Sequence, residues 1–367
     1  MEPNRLAIIG TGLIGASVAL AAKRGHDAAV AGFDPDPSAL EAAVARGAID
    51  EPAESLADAL AGADLAVVAS PVAQLATQVR AALEASGEGC TVTDVGSTKA
   101  AVCAAAQGSP RFVGGHPVCG SEAHGAAHAS AELFDGATWF LTPLAETDPA
   151  RYRLAHGFVS SLGATPVAVD PQAHDRLVAI TSHLPHALAN LLVNQAGAGK
   201  IDGHEPLAAA GGSLRDMTRV AGANPRIWVD IFLDNAVRLS ESLAEHRRRI
   251  EQLEAALEAG DAGFLARWIG EAAGNRRRML ADAYPGSGEL QQLRVHVPDR
   301  PGVLAGIAQA LGAERINIED FELHHVSPER GGTLTLLVGG ADDAERAAAL
   351  LEAQGYGVVI SPVLEER

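Results

Sequence analysis

The feature that most constrains the fold of this chain is the spacing of three glycines near its start. Gly10, Gly12 and Gly15 form a G-x-G-x-x-G pattern that follows the apolar run RLAII and opens an alanine-rich helical stretch. Such a pattern is informative only when a strand precedes it, a helix follows it and an acidic residue lies about 20 positions further on. Asp34 meets the last condition, because it lies 19 residues after Gly15, at the end of the next predicted strand. The start of the chain therefore predicts a βαβ unit that binds a dinucleotide.

The three glycines and the helix start beside them have separate predicted tasks. Gly10 permits a tight turn, Gly12 lets the backbone approach a pyrophosphate, and Gly15 allows the helix to pack closely on the sheet. The amides at the helix N-terminus favour an anionic group. The predicted pyrophosphate site comprises Gly10, Gly12, Leu13, Ile14 and Gly15.

Two further positions predict which dinucleotide binds and how it is oriented. A carboxylate at Asp34 would accept a hydrogen bond from a ribose 2′-hydroxyl and repel a 2′-phosphate, which favours NAD over NADP. Ser70 and Pro71 end the third predicted strand. Sheet topology would place the nicotinamide side of the crevice there.

Strands and helices alternate along the first part of the chain. Six predicted strands, RLAIIG, HDAAVAGFD, ADLAVVASP, CTVTDVGSTK, RFVGGHP and ATWFLTP, are separated by alanine-rich helical stretches. This alternation predicts a Rossmann-type, doubly wound parallel sheet over residues 1–168, and hence the α/β class.

Two later changes of pattern predict two further domains. Residues 169–285 have almost no strand signal and carry apolar residues at helical spacing, which predicts an all-α domain. The segment YPGSG at 284–288 is a predicted linker. Residues 289–367 follow the order β-α-β-β-α-β, which predicts a ferredoxin-like α+β domain.

Composition excludes some classes of partner. The formal net charge of −18 argues against a nucleic acid or an anionic membrane, and an anionic substrate would need local Arg or His. The chain has no apparent secretory signal and no apolar run long enough to span a bilayer, so we expect a soluble cytoplasmic protein. The three cysteines form no C-x-x-C pair, and Cys119 is interpreted as a bystander thiol.

The stretch GGHPVCGSE, residues 114–122, places polar groups at the end of the fifth predicted strand. Ligands of open α/β sheets bind at the carboxyl ends of the strands, so His116 should converge with Ser97, which follows the fourth strand. Histidine is suited to accept a proton near neutral pH, as oxidation of an alcohol requires. The neighbouring glycines are expected to allow an irregular backbone that aims His116 at the ligand. A histidine that merely caps a turn is the alternative.

Several stretches together resemble the prephenate (or arogenate) dehydrogenase family of tyrosine biosynthesis. The chain is similar to this family in IIGTGLIGASVALAAK, TDVGSTK, GGHPVCGSE, HDRLVAITSHLPHALA and LRDMTRVAGANPRIWVDIFLDN, in that order along the chain. The resemblance implies NAD-dependent oxidative decarboxylation of prephenate by a homodimer whose helical domain forms the dimer interface.

The resemblance also implies roles for individual residues. His116 would accept the proton of the substrate hydroxyl, and Ser97 would orient His116 or that hydroxyl. Arg219, as a buried fork, would bind a substrate carboxylate, and Ser182 with His186 would meet the pyruvyl side chain. Four further positions would line or gate the pocket, the last two of them possible contributions from the neighbouring subunit: Ser121, Glu122, Asp175 and Trp228.

The segments VPDRPGVLAGIAQAL and INIEDFEL resemble an ACT regulatory domain. The resemblance implies an amino-acid effector, with tyrosine expected. Pro301 and Gly302 would open a helix whose free amides receive a carboxylate. The implied effector site comprises Pro301, Gly302, Val303 and Leu304, with Asn317 and Ile318 facing the same ligand across a domain–domain interface. A domain that only assists dimerisation is the alternative.

Other interpretations stay open from the residues alone. His174 and Asp175 could lie on a solvated helix face, and His183 with His186 has a possible metal-ligand spacing, although no third ligand is obvious and no metal is expected.

Arogenate is the closest competing substrate. A β-hydroxyacid dehydrogenase is disfavoured, because that family's pattern implies a lysine and an asparagine four residues apart on the first helix after the sheet. The matching helix here carries His186 and Asn190, with no lysine. A non-catalytic amino-acid sensor is the remaining alternative.

Overall fold

The structure is a computed structural model that describes residues 3–25, 28–119, 123–283, 289–327 and 331–363. It divides into two compact units, Met1–Arg247 and Arg248–Arg367. The predicted linker at 284–288 lies outside the described residues. The predicted division into domains at 168, 285 and 289 stays a prediction.

The first unit is built on an eight-stranded sheet with the strand order β3-β2-β1-β4-β5-β6-β7-β8. Its strands are β1 (Arg5–Ile9), β2 (Ala29–Phe33), β3 (Glu51–Pro52), β4 (Leu65–Val68), β5 (Thr91–Asp94), β6 (Phe112–Pro117), β7 (Thr138–Pro143) and β8 (Thr165–Ala168). The helices between them are α1 (Leu13–Gly25), α2 (Pro37–Ala45), α3 (Leu56–Leu60), α4 (Val72–Ala85), α5 (Ala100–Ala105) and α6 (Pro149–Ser161).

Both faces of this sheet are buried, as the near-continuous apolar strands require. In β1, Leu6 and Ile8 pack into one hydrophobic cluster, whereas Ala7 and Ile9 pack into a second cluster on the opposite face. The period of two along a strand thus divides one short segment between two helix layers. The predicted Rossmann-type fold is confirmed.

Two strands run against the others. Strand β7 is antiparallel to β6 and β8 is parallel to β7, whereas the pairs β1–β4, β4–β5 and β5–β6 are parallel. A parallel connection needs a long crossover, usually a helix. Between β6 and β7 the described residues contain only the 3₁₀ turn Ala126–His128. The predicted parallel sheet is therefore confirmed from β1 to β6, whereas β7 and β8 depart from it, and the sequence prediction also omitted the short strands β3 and β8.

Helices dominate the rest of the first unit, as predicted. They are α7 (Pro171–Val178), a π-helical turn (Ala179–His183), α8 (Leu184–Gly197), α9 (Gly212–Thr218), α10 (Pro225–Asp234) and α11 (Ala236–Ala259), which continues into the second unit. Short 3₁₀ segments cover Pro206–Ala209 and Arg219–Gly222. The side chains of Asp170 and Asn224 cap the starts of α7 and α10 by accepting hydrogen bonds from backbone N–H groups.

The second unit contains α12 (Ala262–Ala283) and a four-stranded antiparallel sheet in the order β10-β11-β9-β12. Its remaining elements are β9 (Leu290–Val297), α13 (Val303–Ala313), β10 (Asp320–Ser327), β11 (Gly331–Gly339), α14 (Ala341–Ala353) and β12 (Gly357–Pro362). The predicted β-α-β-β-α-β order is confirmed. Alternate residues of β9 and β11, including Leu293, Val295, Leu334 and Leu336, pack with α13 and α14 in one hydrophobic core.

The effector residues implied by the resemblance lie at opposite ends of this sheet, because β9 ends at Val297 beside Gly332 whereas β10 begins at Asp320 beside Leu337. Helix α13 begins at Val303, and Gly302 precedes it in a left-handed conformation with φ of +88°. The strand expected to start in INIED begins later, at Asp320, so Asn317 and Ile318 lie in the connection before it. Pro301 and Leu304 are exposed, whereas Val303 is buried in the core.

No helix within the described residues is both long enough and apolar enough to cross a lipid bilayer.

Candidate active site at the carboxyl edge of the sheet

The turn between β1 and α1 has the geometry that its three glycines predict. Gly10 has φ of +94°, and a Cβ there would lie 2.6 Å from the carbonyl oxygen of Ala69. A Cβ on Gly15 would lie 2.0 Å from the carbonyl oxygen of Gly10, so any side chain would push α1 away from the sheet. By contrast, a Cβ on Gly12 would meet no atom within 4 Å, which leaves this part of the backbone open to a ligand.

Asp34 follows β2 and reaches back to this turn. Its Oδ2 accepts hydrogen bonds from the backbone N–H and the hydroxyl of Thr11, at 2.8 and 3.3 Å, and its Oδ1 accepts from the N–H of Asp36 at 3.0 Å. The carboxylate is therefore held at the mouth of the turn. Ser70 and Pro71 lie between β4 and α4, and Ser70 is half-buried.

His116 belongs to strand β6, two strands from β4 across β5. Gly114 and Gly115, which precede it, lie inside the strand and have no positive φ. A Cβ on Gly114 would lie 2.2 Å from Oγ1 of Thr142, and one on Gly115 would lie 2.4 Å from the carbonyl oxygen of Asp94. The expected irregular backbone is wrong at Gly114 and Gly115, which are needed because neighbouring strands pack too closely for any side chain, whereas Gly120 lies outside the described residues.

A buried ion pair fixes the floor of the site. The ammonium of Lys99 donates to Oδ2 of Asp94, and both side chains are completely buried. The same carboxylate accepts from the N–H groups of Gly96 and Gly115, at 2.9 and 3.0 Å. Ser97 is half-buried in the connection between Asp94 and Lys99. The ends of that connection are therefore anchored, which holds Ser97 at the edge of the sheet near β6.

His116 forms a chain of side-chain contacts with two residues of α7. Its Nδ1 lies 2.8 Å from Nε2 of His174, and Nδ1 of His174 lies 2.8 Å from Oδ1 of Asp175. His174 is completely buried and Asp175 is 3% exposed. The rings of His116 and His174 meet edge to face with centroids 5.0 Å apart, and Phe140 also packs edge-on against His174.

The position of Asp175 corrects two expectations from the sequence. Its carboxylate accepts from the backbone N–H groups of Lys99 and Ala100, at 2.7 and 2.8 Å, at the start of α5. The residue is therefore neither on a solvated helix face nor free to gate a pocket. It joins α7 to the sheet within one chain.

The surroundings keep His116 neutral. Part of its surface is exposed, but desolvation lowers its pKa well below the ordinary value of 6.5, and the electrostatic influence of His174, Lys99 and His183 lowers it further. A neutral imidazole can accept a proton at physiological pH, so His116 has the protonation state that a general base needs.

A second histidine cluster lies where α7 passes through the π-helical turn into α8. Burial lowers the pKa of His183 to about 4, and its Nδ1 lies 3.2 Å from Nδ2 of Asn235. Asn235 also donates from Nδ2 to the backbone carbonyl of Asp175 at 2.8 Å. Such π-helical turns interrupt a helix and are frequent at functional sites.

His186, in the first turn of α8, faces Trp228 and Arg219. Its ring stacks on Trp228 of the same chain, with centroids 3.4 Å apart, and its Nδ1 lies 2.9 Å from the carbonyl oxygen of Ser182. Burial lowers the pKa of His186, and the nearby Arg219 lowers it further. Arg219 itself is exposed, contrary to the expected buried fork. Two of the predicted pocket residues, Ser121 and Glu122, lie outside the described residues.

Sequence reasoning gave no site role to His174, Asp94, Lys99 or Asn235. A signal for His174 was nevertheless present, because Pro171, His174, Asp175 and Val178 follow the i, i+3, i+4, i+7 spacing of one helix face. All four are the buried residues of α7. Reading polar residues as part of that periodic face would have predicted that the His–Asp pair points inward.

Comparisons with known proteins agree with this arrangement. Family models match three consecutive parts of the chain: "Prephenate dehydrogenase, nucleotide-binding domain" at residues 18–168, "Prephenate dehydrogenase, dimerization domain" at 170–271, and "ACT domain" at 291–355. The prephenate dehydrogenase of Bacillus subtilis is 33% identical over 359 residues, which cover 96% of each protein.

Solved structures give a similar result. The prephenate dehydrogenase of Aquifex aeolicus, in complex with hydroxyphenyl propionate and NAD⁺, superposes with a TM-score of 0.71 and 28% identity over 75% of this chain and 98% of that one. The arogenate dehydrogenase of Synechocystis gives a TM-score of 0.67 and 32% identity over 75% of this chain and 99% of that one.

The low pKa of His183 predicts how stability depends on pH. His183 stays neutral in the folded chain down to about pH 4, whereas in the unfolded chain it binds a proton below about pH 6.5. Its contribution to stability is complete above that value and is lost as pH falls, by on the order of 3 kcal/mol at pH 4. Replacing His183→Asn, which keeps an acceptor for Asn235, should make the free energy of unfolding fall less steeply with acidification in urea titrations. Equal slopes for the variant and the unaltered chain would contradict the assignment.

Proposed function

The chain belongs to the prephenate dehydrogenase family, and from this premise we propose that it catalyses the NAD-dependent oxidative decarboxylation of prephenate to 4-hydroxyphenylpyruvate. The observation that carries the proposal is a neutral, partly exposed His116 at the same sheet edge as the glycine turn. Removal of hydride from an alcohol carbon requires a group that takes the hydroxyl proton at the same time.

The residues of the glycine turn fit a dinucleotide. The open backbone at Gly12 leaves room for a pyrophosphate, and the dipole at the start of α1 favours its negative charge. The acceptor atoms of Asp34 suit a ribose hydroxyl. We propose that Gly10, Gly12, Leu13, Ile14, Gly15 and Asp34 bind NAD, with Ser70 and Pro71 on the nicotinamide side. When bound, NAD supplies the hydride acceptor for the oxidation.

The protein's own task in the chemistry is small and specific. His116 takes the proton of the ring hydroxyl as the C4 hydrogen leaves with its electron pair. The carbonyl formed at C4 accepts the electrons released when the ring carboxylate departs as CO₂, and the ring becomes aromatic. Because aromatisation drives that loss, correct placement of the base and the hydride acceptor is the main requirement.

Substrate recognition is proposed for the groups around the second histidine cluster. Arg219 can bind a carboxylate with two parallel hydrogen bonds, which offsets the unfavourable net charge of the protein. Trp228 and His186 form a stacked wall beside Arg219. Ser97 would orient the substrate hydroxyl, and Ser182, Ser121 and Glu122 would complete the pocket.

Arogenate is the second candidate substrate, and one contact favours it. A carbonyl oxygen only accepts hydrogen bonds, so His186 must donate from Nδ1 to Ser182. The neutral ring then presents Nε2 as an acceptor, which suits the ammonium of arogenate. The keto group of prephenate needs a donor, and His186 provides one only when the two substrate carboxylates draw a proton onto it. Steady-state kinetics with both substrates distinguish these cases.

We further propose that the chain is a homodimer regulated by an amino acid, with tyrosine as the effector. Exposed apolar side chains in the helical region support dimerisation; among them Leu191, Met217, Leu233 and Val237 are each at least 60% exposed. The left-handed Gly302 before α13 leaves the first amides of that helix without a side-chain cap, which suits a carboxylate. Asn317 and Ile318 precede β10 at the opposite end of the same sheet, so they would face the ligand of a second such domain across a domain–domain interface.

The central test of the proposed function replaces the base. His116→Asn should lower kcat by about 10²- to 10⁴-fold while NAD binding stays unchanged, because the side chain acts on the hydroxyl proton. NADH formation from prephenate measures kcat, and calorimetry measures NAD affinity. His156→Asn, an exposed histidine of α6, is the matched control. A His116→Asn enzyme with nearly unaltered turnover would refute the role of His116.

Asp34→Ser should narrow the preference for NAD over NADP by roughly tenfold or more, since a charge-assisted hydrogen bond contributes about 1.5 to 3 kcal/mol. The change weakens NAD binding and relieves repulsion of a 2′-phosphate. The measurement is the ratio of kcat/KM for the two cofactors. Asp36→Ser, at the start of α2, controls for local disturbance. An unaltered chain that already prefers NADP would contradict the assignment.

Tyrosine should inhibit the full-length chain and bind it in calorimetry, and Asn317→Ala should weaken both effects together without changing uninhibited kcat. Asn317 is exposed, so its replacement should leave the fold intact. Gln354→Ala, another exposed position of the same unit, should behave like the unaltered chain. Inhibition that is competitive with prephenate and unaffected by Asn317→Ala would locate tyrosine in the active site instead.

A further inference from the structure

We infer that His174 and Asp175 position the catalytic base by fixing the tautomer of His116, so that its Nε2 is the nitrogen that faces substrate without a hydrogen. The inference rests on the proposed function in one respect, because it takes the substrate hydroxyl as the proton donor. The direction of the hydrogen bonds, however, follows from the contacts of the chain alone.

The direction is set at the Asp175 end. Two backbone N–H groups, of Lys99 and Ala100, point at its carboxylate, and such groups can only donate. Burial by itself would raise the pKa of Asp175, but the hydrogen bonds from His174, Ala100 and Lys99 outweigh burial and lower it. Asp175 is therefore an anionic acceptor at neutral pH.

The next step follows at His174. Its Nδ1 lies 2.8 Å from Oδ1 of Asp175, so Nδ1 must carry the hydrogen and donate. Burial lowers the pKa of His174, and a neutral imidazole carries only one hydrogen. Nε2 of His174 is therefore a lone-pair acceptor. Phe140, which packs edge-on against the ring, offers no competing hydrogen-bond donor.

The last step decides the base. Nδ1 of His116 lies 2.8 Å from Nε2 of His174, which accepts, so His116 must hold its hydrogen on Nδ1. Its Nε2 is then free to take a proton. The charged and titratable groups that face His116 are His174 from α7, Lys99 before α5 and His183 from the π-helical turn. Lys99 is already paired with Asp94.

The proton balance is simple. As the substrate C–H bond gives up its hydride, the O–H bond breaks and its proton binds Nε2 of His116. The imidazolium that forms keeps its Nδ1–H bond to His174, and the anionic Asp175 at the end of the chain opposes its charge. Asp175 stays ionised throughout, so the pair positions and stabilises and does not itself take the substrate proton.

The test is a substitution that keeps shape and removes the anionic acceptor. Oδ1 of Asp175 accepts from both His174 and the N–H of Lys99, whereas Oδ2 accepts from Ala100. The amide of Asp175→Asn has one acceptor oxygen and cannot serve all three donors. His174 is then no longer held as a donor by a carboxylate, the hydrogen of His116 is no longer confined to Nδ1, and the charge that opposes the imidazolium is absent. We expect kcat to fall by about 10²-fold or more, with KM and NAD affinity changed less than about threefold.

Two controls separate positioning from simple structural support. Asp170→Asn changes the same side chain at the start of the same helix, where it caps Ala173, and should leave kcat unchanged. His174→Gln can accept from His116 and donate to Asp175, so it should retain more activity than His174→Leu. A purely structural role would instead lower thermal stability and raise KM in all variants of the pair alike.

A readout without turnover tests the tautomer directly. In the NAD-free chain labelled with ¹⁵N in its histidine rings, two-bond proton–nitrogen spectra should show the His116 hydrogen on Nδ1, and no longer only on Nδ1 in Asp175→Asn. Spectra of His116→Asn and His174→Gln identify the signals. A His116 hydrogen on Nε2 in the unaltered chain would overturn the inference. So would full kcat in Asp175→Asn. Failure to oxidise prephenate or arogenate at all would defeat the proposed function but leave the tautomer measurement valid.

Discussion

The buried carboxylate of Asp94 is the contact on which the rest of the site depends. It lies at the end of β5 and accepts from Gly115 in β6, from Gly96 in the following turn and from the ammonium of Lys99. Removal of one partner from a buried ion pair typically costs about 3–5 kcal/mol, because the remaining charge has no water to solvate it. The pair therefore locks two strands and the start of α5 into one geometry. The backbone of Lys99 then points at Asp175, and the residue after Gly115 is His116.

Charge is arranged differently inside the site than over the whole protein. The chain carries a formal charge of −18, yet the side chains around His116 are a lysine and other histidines, and an arginine lies beside His186. Burial and the nearby charge of Lys99 keep the imidazole of His116 neutral, so it can accept a proton. Because the histidines are neutral and Lys99 is paired with Asp94, the attraction for an anionic substrate that opposes the acidic surface comes from Arg219.

Much of the fold followed from local pattern, whereas the details of the site did not. The glycine spacing, Asp34 and the alternation of elements predicted the nucleotide-binding sheet because each is a short-range property of the chain. The direction of β7 was missed because it follows from the lack of a crossover helix between β6 and β7 in the described residues. Gly114 and Gly115 were misinterpreted because Thr142 and Asp94 come close to them only when the strands pack together. His174 was within reach of a periodicity argument, but its partner His116 lies 58 positions away along the sequence. Only the folded chain brings those two rings together.

The contact between Asp175 and the start of α5 has a consequence for recombination between relatives. The predicted border at residue 168 separates the sheet that carries His116 from the helix that carries His174 and Asp175, although these residues form one hydrogen-bonded unit. The nucleotide-binding part therefore lacks the two residues that orient its own catalytic base. A chimaera joined at that border would combine a base from one parent with an orienting pair from the other, and function would survive only where both parents share the same spacing. A crossover placed after α7 keeps the unit whole.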